Sequence, residues 1–377
     1  MHRYATLDGL RGIAALAVLV YHLFEAVAFA NGDAEQQMFH GFLAVDFFFL
    51  LSGFVMGHAY DNKMNAANSH NRLTFCRLML TRIIRLHPMI IIGSLTGLIV
   101  YIAQGCTRWD GTMMPWSTIL IGFILSLLII PSPLSNDLRG NTEAFPLNGP
   151  SWSLFLEYVG SILYGLILHK LKTRHVAYIA VVSALGYAAI GILTYGDESS
   201  TLAFGWSSTT PQLIGGLLRM LTSYTIGLTL WRLIRHKRPS SLHPTVSCCI
   251  AAMLLTALLC TPSLGNLNLW YEWICICVVF PIVIWIAASE STHTTPTILH
   301  NTCTWIGELS YPLYAIHYPL IYLYIGWINQ DLHPFGPYSW CTPVAIAAIA
   351  ILAAVACMRL YDRPVRNWLT HATQQKR

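Results

Sequence analysis

Long blocks of apolar residues alternate with short polar segments from one end of the chain to the other. An α-helix needs about 18 or more nearly uncharged residues to cross a hydrocarbon layer about 30 Å thick. The pattern predicts an all-α membrane protein whose residues 1–377 form one integral membrane domain, with no soluble domain. The eleven candidate membrane helices cover residues 12–30, 41–60, 86–104, 116–131, 152–171, 176–195, 212–234, 245–262, 269–288, 304–327 and 343–361.

Composition supports this interpretation and excludes other classes. Charged residues make up 10% of the chain and hydrophobic residues 55%, whereas about 25% of the residues in a soluble domain are charged. The formal charge of +5 does not indicate nucleic-acid binding, because the basic residues lie in short loops between apolar blocks. The ten cysteines lie mostly inside apolar segments without zinc-finger spacing, so we expect no metal site.

The first apolar block ends in a small-x-small pattern, Ala28-Phe29-Ala30, that resembles a signal-peptidase site. The same block contains His22 and Glu25, polar residues that a disposable signal segment has no reason to contain. We therefore interpret it as a retained first membrane helix.

The distribution of basic residues predicts the topology. Loops 61–85, 169–175 and 232–238 and the tail from Arg359 are basic, whereas loop 31–40 is acidic, so the basic loops and both termini belong to the cytoplasm. Two cytoplasmic termini require an even number of crossings, yet there are eleven blocks. One of the segments 86–104 and 116–131 therefore does not cross. We predict about ten transmembrane helices plus one re-entrant or interfacial segment on the cytoplasmic side.

Ionisable side chains at membrane depth are functional candidates, because each costs at least about 2.5 to 3.5 kcal/mol on insertion. Arg11 and His22 are eleven residues apart, so they share one helix face over about 16 Å. If Arg11 marks the inner membrane surface, His22 lies near mid-membrane. Glu25 follows one turn later and can orient or balance the imidazole. The alternative is a packed histidine bonded to a neighbouring helix.

A second group is basic. Arg82 and Arg85 are three residues apart and share a helix face, where two guanidinium groups suit the binding of phosphates, and His87 follows them. Two alternatives remain: these arginines only enforce the orientation of the chain, or they bind lipid headgroups.

Further polar residues lie inside apolar blocks. Asp46 is not explained by packing, whereas Ser52 could let another helix approach closely. Glu157 is predicted on the outer half of its helix, where it could meet the hydroxyls of a sugar while Trp152 stacks on the sugar or anchors the interface. The remaining candidates are Arg219, Glu308 and His317.

Together these segments resemble acyltransferase family 3, the bacterial membrane O-acyltransferases. The resemblance covers residues 7 to about 365 in the family's order. Its motifs are Asp8-Gly-Leu-Arg-Gly12 with His22, Asp46 with Ser52-Gly-Phe54, Arg82 with Arg85, Ser151-Trp-Ser-Leu-Phe-Leu-Glu157, Arg219, and Gly307-Glu-Leu-Ser-Tyr-Pro-Leu-Tyr-Ala-Ile-His317.

The resemblance implies an enzyme of the bacterial inner membrane that uses acetyl-CoA or another acyl-CoA at the cytoplasmic face. The acyl group, expected to be acetyl, would pass to a hydroxyl of a cell-surface or exported carbohydrate or glycolipid. The implied roles are as follows: His22, with Glu25, for catalysis; Arg11, Arg82, Arg85 and His87 for donor binding; and Asp46, Ser52, Trp152, Glu157, Arg219 and His317 for acceptor binding or structure.

Some family members also carry an extra helix and an SGNH-type esterase domain, which these 377 residues do not contain. The membrane domain is then expected to complete the transfer alone or with a separate partner. Direct attack and an acyl-histidine intermediate are both compatible with the sequence, and the oligomeric state is open. Two other functions use the same buried charges: a transporter or flippase for an amphipathic or sugar-linked substrate, and a non-catalytic subunit of polysaccharide assembly.

Overall fold

The structure is a computed structural model that describes residues 4–31, 39–66, 72–195, 201–235, 243–289, 296–329 and 341–374. Each predicted apolar block forms helix, and these residues contain no strand, which confirms an all-α fold. The helices are α1 (Ala5–Asn31), α2 (Ala44–Met64), α3 (Phe75–Ala103), α4 (Trp116–Leu127), α5 (Ser151–Leu166), α6 (Thr173–Tyr195), α7 (Thr210–Ile234), α8 (Pro244–Leu259), α9 (Asn268–Ile274), α10 (Phe280–Ala288), α11 (Thr297–Ile328), α12 (Cys341–Cys357) and α13 (Arg363–Gln374).

Seven helical segments of the described residues are long and apolar enough to cross a membrane. They are Ala5–Ala28, His40–Met64, Phe75–Ala103, Thr173–Tyr195, Thr210–Ile234, Gly265–Ala288 and Cys341–Thr373. Helices α4 and α8 are apolar but shorter. At 32 residues α11 is long enough, but it carries polar residues such as Glu308 and His317 and is largely buried among its neighbours. The chain is an all-α membrane protein.

Helix α4 is the segment that is too short to cross. Its 12 residues rise about 18 Å, whereas the 29 residues of α3 rise about 43 Å. The hydroxyls of Ser94 and Ser126 are 2.8 Å apart, which ties the end of α4 to the C-terminal half of α3. The arginines lie in the other half of α3. Helix α4 therefore lies at the opposite end of α3 from the basic loop, and not beside that loop as predicted.

Helices α1 and α11 run parallel and touch along their glycines. A Cβ added at Gly9 would lie 2.7 Å from the Cys303 sulfur, and one added at Gly12 would lie 1.9 Å from the Ile306 side chain. Small residues allow helix backbones to approach this closely. Because both helices run in the same direction, their polar residues follow the same order along the bundle.

Helices α2 and α7 are joined by two buried ion pairs and a close approach. Arg219 pairs with Asp46 at 2.6 Å, and Arg232 pairs with Asp61 at 2.7 Å. Between the two pairs, a Cβ added at Gly53 would lie 1.9 Å from a backbone carbonyl oxygen of α7. The ion pairs therefore fix the register of these two helices.

Candidate functional site

A cavity lies among α1, α2, α3, α5 and α11, in the half of the bundle where α3 begins; we call it the arginine cavity. It brings together residues from five separate predicted motifs. Its polar lining consists of Arg11, Ser52, Arg82, Arg85, Ser153, Glu157, Ser310, Tyr311 and Tyr314.

Two of the three arginines are held by the protein. The Nε of Arg11 donates to the Ser310 hydroxyl at 2.9 Å. Arg82 forms an ion pair with Glu157, and its Nε donates to the Ser161 hydroxyl at 3.1 Å. Arg85 is exposed in the cavity and makes no hydrogen bond or ion pair with any described residue. Its guanidinium is thus the one available to an anion.

His87 does not join the predicted donor-binding arginines. It is partly buried on α3 and is not part of the cavity lining. Five residues after Arg82, it is turned about 140° around the helix, whereas Arg85 at three residues stays near the same face. Its proposed role remains a prediction that the geometry does not favour.

A second cavity, here called the vestibule, continues the arginine cavity toward the same end of the bundle. Arg11 and Arg85 line both spaces. The vestibule is also lined by Tyr4, near the start of the described chain, and by Arg363 and Arg366 of α13. The first described residue and helix α13 therefore meet at the basic end of the molecule.

The predicted pair of His22 and Glu25 is in contact. The Nδ1 of His22 lies 2.6 Å from a carboxylate oxygen of Glu25, and His22 is only 8% exposed. Because a carboxylate only accepts hydrogen bonds, Nδ1 carries the proton of the neutral ring and Nε2 carries the lone pair. This arrangement can act as a base with an orienting carboxylate.

His317 connects this pair with the arginine cavity. Its Nδ1 faces the backbone carbonyls of Leu313 and Tyr314, at 3.1 and 2.9 Å, and its buried Nε2 has no partner among the described residues. The His317 ring stacks on His22 with centroids 5.4 Å apart and lies 5.8 Å from the Tyr314 ring. Tyr314 in turn lines the arginine cavity, so one histidine separates that cavity from His22.

A third space, the aromatic cavity, lies on the other side of His22 along α1 and α11. Glu25 is its only lining residue that the sequence singled out. The tryptophans and the second carboxylate come from loops whose path the helical pattern does not encode, and their only sequence signal is that they are large aromatic or acidic residues between apolar blocks. The lining consists of Glu25, Trp109, Asn141, Glu143, Trp206, Tyr318, Tyr322 and Ile325.

Glu143 is the carboxylate of the aromatic cavity that belongs to a loop outside the apolar helices. The Tyr322 hydroxyl donates a hydrogen bond to it. Burial raises the pKa of Glu143 to about 7, against the opposing effect of the Arg139 guanidinium. Its charge state therefore changes near neutral pH.

Ser52 and Glu157 both line the arginine cavity. The Ser52 hydroxyl donates to Glu157 at 3.3 Å, and Glu157 pairs with Arg82 inside the arginine cavity. Glu157, expected on the outer half of its helix to meet a sugar acceptor, therefore pairs with one of the arginines expected to bind the donor. Helical spacing gives the face of a residue but not the partner across the interface.

Asp46, Trp152 and Arg219 form a buried structural group. The Arg219 guanidinium lies 5.1 Å from the Trp152 ring and pairs with Asp46, which is fully buried. None of the three lines the arginine or the aromatic cavity. Of the two roles considered for them, the geometry favours the structural one.

Within the described ranges, no group of three His, Cys, Asp or Glu side chains is arranged to hold a metal ion. The polar groups that meet at the centre of the bundle are the imidazoles, carboxylates and guanidiniums described above.

The comparisons with known proteins agree with the resemblance seen in the sequence. The family model described as "Acyltransferase domain" matches residues 4–361, nearly the whole chain. The chain belongs to this acyltransferase family. All residues that line the arginine cavity and the aromatic cavity lie within the matched region, whereas the vestibule also includes Arg363 and Arg366, which follow it.

Relatives support the same family. Over 189 residues the chain is 29% identical to "Protein 2 in picA locus" of Rhizobium radiobacter, covering 48% of this chain and 92% of that protein. It is 28% identical over 199 residues to acyltransferase MdmB of Streptomyces mycarofaciens, covering 51% and 47% of the two chains. It is 24% identical over 375 residues to O-acetyltransferase OatA of Staphylococcus aureus, covering 96% and 57%.

The chain thus spans about half the length of the Streptomyces and Staphylococcus relatives. No solved structure gives a significant match.

Proposed function

We propose that this protein is a membrane O-acyltransferase that transfers an acyl group, with acetyl expected, from cytoplasmic acyl-CoA to a hydroxyl of a cell-surface or exported carbohydrate. Membership of the acyltransferase family supports the reaction type. One observation carries the rest of the proposal: the buried His22, in contact with the partly exposed Glu25, lies between an arginine-lined cavity and a separate aromatic cavity.

The donor enters through the vestibule. The basic loops and both described ends of the chain favour a cytoplasmic position for this end. Guanidinium groups bind phosphate oxygens through charge-assisted hydrogen bonds, and Arg85 is available for this because no described residue occupies it. The acyl-pantetheine arm then extends past Tyr314 toward His22.

The chemistry follows from the tautomer of His22. Its Nε2 removes the proton of the acceptor hydroxyl as the oxygen attacks the thioester carbonyl carbon. The new C–O bond forms, the C–S bond breaks, and the CoA thiolate leaves with the proton returned from the imidazolium. Glu25 stabilises the imidazolium, as a carboxylate does in related triads. We favour this direct route over an acyl-histidine intermediate, because the carboxylate supports a base.

Replacement of His22 by Ala tests the proposal. The purified variant in detergent should release CoA thiol from acetyl-CoA in the presence of a sugar acceptor at least about 100-fold more slowly than the wild type. His175→Ala, an exposed histidine of α6, is the matched control and should retain full activity.

Two outcomes would contradict the proposal. Wild-type activity in a correctly folded His22→Ala variant would remove the base. A wild-type protein that releases no CoA in detergent, but moves a sugar-linked lipid across a vesicle membrane, would favour the transporter instead. In cells, mass spectrometry of surface glycans with and without the chain would identify the acceptor.

A further inference from the structure

The aromatic cavity is adjacent to the catalytic pair but separate from the arginine cavity. On α1, Glu25 lies 14 residues, or about 21 Å, beyond Arg11. On the parallel helix α11, the arginine cavity ends at Tyr314, whereas the aromatic cavity begins at Tyr318. His22 contacts Tyr318 with ring centroids 4.7 Å apart. A molecule in the aromatic cavity would therefore approach His22 from the side opposite to the arginines.

The lining combines aromatic faces with neutral and acidic oxygen acceptors. Trp109, Trp206, Tyr318 and Tyr322 supply four rings, and the polar atoms come from Glu25, Glu143 and Asn141. A pyranose ring presents C–H groups on its faces and hydroxyls at its edge. Aromatic rings cover the first, while carboxylates and an amide bind the second.

The charge of the lining argues against a phosphate ligand. Two carboxylates and no lysine or arginine line the cavity among the described residues. Arg139 is not part of this lining, and its guanidinium stacks on the Tyr322 ring at 3.5 Å while its Nε donates to the Pro146 carbonyl at 2.7 Å. An uncharged polyol fits this environment better than an anionic headgroup.

The aromatic residues that line this cavity are held in position by contacts within the protein. The Trp206 ring packs against Tyr318 with centroids 5.0 Å apart, and the Trp206 carbonyl accepts a hydrogen bond from the Ala144 amide at 2.9 Å. The Trp109 amide donates to the Arg139 carbonyl at 3.1 Å. A preorganised site loses less conformational entropy on binding.

We infer that the aromatic cavity binds one pyranose unit of the acceptor, with the sugar stacked on Trp109 or Trp206 and its hydroxyls bonded to the carboxylates. Glu25 then serves both sides, because it orients His22 and lines the sugar site. The assignment as an acceptor site rests on the proposed function; the sugar binding itself does not.

The test measures binding and transfer separately on the full chain in detergent. Methyl glycosides of glucose, galactose and N-acetylglucosamine are titrated calorimetrically, with sorbitol and glycerol 3-phosphate as comparisons. We expect saturable binding of at least one methyl glycoside, weaker or absent binding of the comparisons, and at least about tenfold weaker binding in Trp109→Ala and Trp206→Phe. Acetyl-CoA binding should be unchanged in both variants. Trp116→Ala, on an exposed face of α4, is the matched control.

Each other outcome overturns the inference. Absence of binding by all three glycosides, equal binding in wild type and both cavity variants, or preference for glycerol 3-phosphate would each exclude a pyranose site. The two proposals fail independently. Saturable glycoside binding that depends on Trp109, without CoA release, would refute the enzyme and leave the sugar site. CoA release that depends on His22, with glycoside binding unaffected by the cavity variants, would support the enzyme and refute the sugar site.

Discussion

Replacing Asp46 by Asn should destabilise the fold without altering the chemistry at His22. Arg219 is buried, and its Nε and Nη2 donate to the Asp46 carboxylate at distances of 2.6 to 3.0 Å. Its remaining donors bond the backbone carbonyls of Phe204 and Phe42 at 2.9 and 3.0 Å. Asparagine preserves the size and one acceptor oxygen but leaves a buried cation without its counter-charge.

The expected cost follows from these contacts. Removing one partner of a buried ion pair costs about 3 to 5 kcal/mol. Since two backbone carbonyls and one amide oxygen would still satisfy the guanidinium, we expect a loss of about 3 kcal/mol, a factor of about 100 in the folded to unfolded ratio. The double variant Asp46→Leu/Arg219→Met should lose less than the sum of its single variants, because no unpaired charge remains.

Reversible unfolding in mixed detergent and SDS micelles, followed by tryptophan fluorescence, measures this loss. Asp110→Asn, in an exposed turn where its Oδ1 accepts a bond from the Thr112 amide, is the matched control and should change stability by less than about 0.5 kcal/mol. CoA release per folded molecule should be unchanged in Asp46→Asn. A loss of stability below about 1 kcal/mol, or a stable variant that has lost CoA release, would refute the structural assignment of this pair.

Four further predictions concern the site and the packing. Glu25→Gln should lower kcat by about 100-fold with the acyl-CoA KM unchanged, because the imidazolium loses its counter-charge. Equal single-turnover rate constants for acyl transfer in the wild type and the variant would exclude that role of Glu25. Arg85→Ala should raise the acyl-CoA KM by about tenfold or more, since a charge-assisted hydrogen bond is lost, and an unchanged KM would contradict it. Because the pKa of Glu143 is raised to about 7, its carboxylate becomes protonated as the pH falls through 7 and binds hydroxyls less strongly, so the acceptor KM should rise as the pH falls. Glu143→Gln should remove this rise in KM, and a rise that persists in the variant would be due to another group. Gly53→Ala should lower the midpoint temperature of thermal unfolding, because its Cβ would lie 1.9 Å from a carbonyl oxygen of α7. An unchanged midpoint would mean that α2 and α7 can move apart without loss of stability.

The local geometry of the site was predictable from spacing along the helices. Glu25 follows His22 by three positions, so the two side chains lie on neighbouring turns, and they are in contact at 2.6 Å. The same rule predicts that Arg82 and Arg85 share a face, and both line the arginine cavity. These predictions succeed because the 3.6-residue period depends only on the backbone of one helix.

Contacts between helices were not predictable in this way. Glu157 was expected to meet a sugar acceptor but pairs with Arg82, because the neighbour of a helix depends on the packing of the whole bundle. The same reason explains why α4 lies at the far end of α3. The aromatic cavity is built largely by Trp109, Glu143 and Trp206, which come from loops that carry no periodic signal.

The sequence by itself determined the class of molecule, its helical segments and the faces on which the charged residues lie. Those properties follow from the length and apolarity of each block, because every helix that crosses the membrane must be long and apolar enough on its own. Only the tertiary structure decided which charges neutralise each other and which groups remain available for chemistry. That outcome depends on the approach of distant helices, such as α1 to α11 through Gly12, and no single helix encodes it.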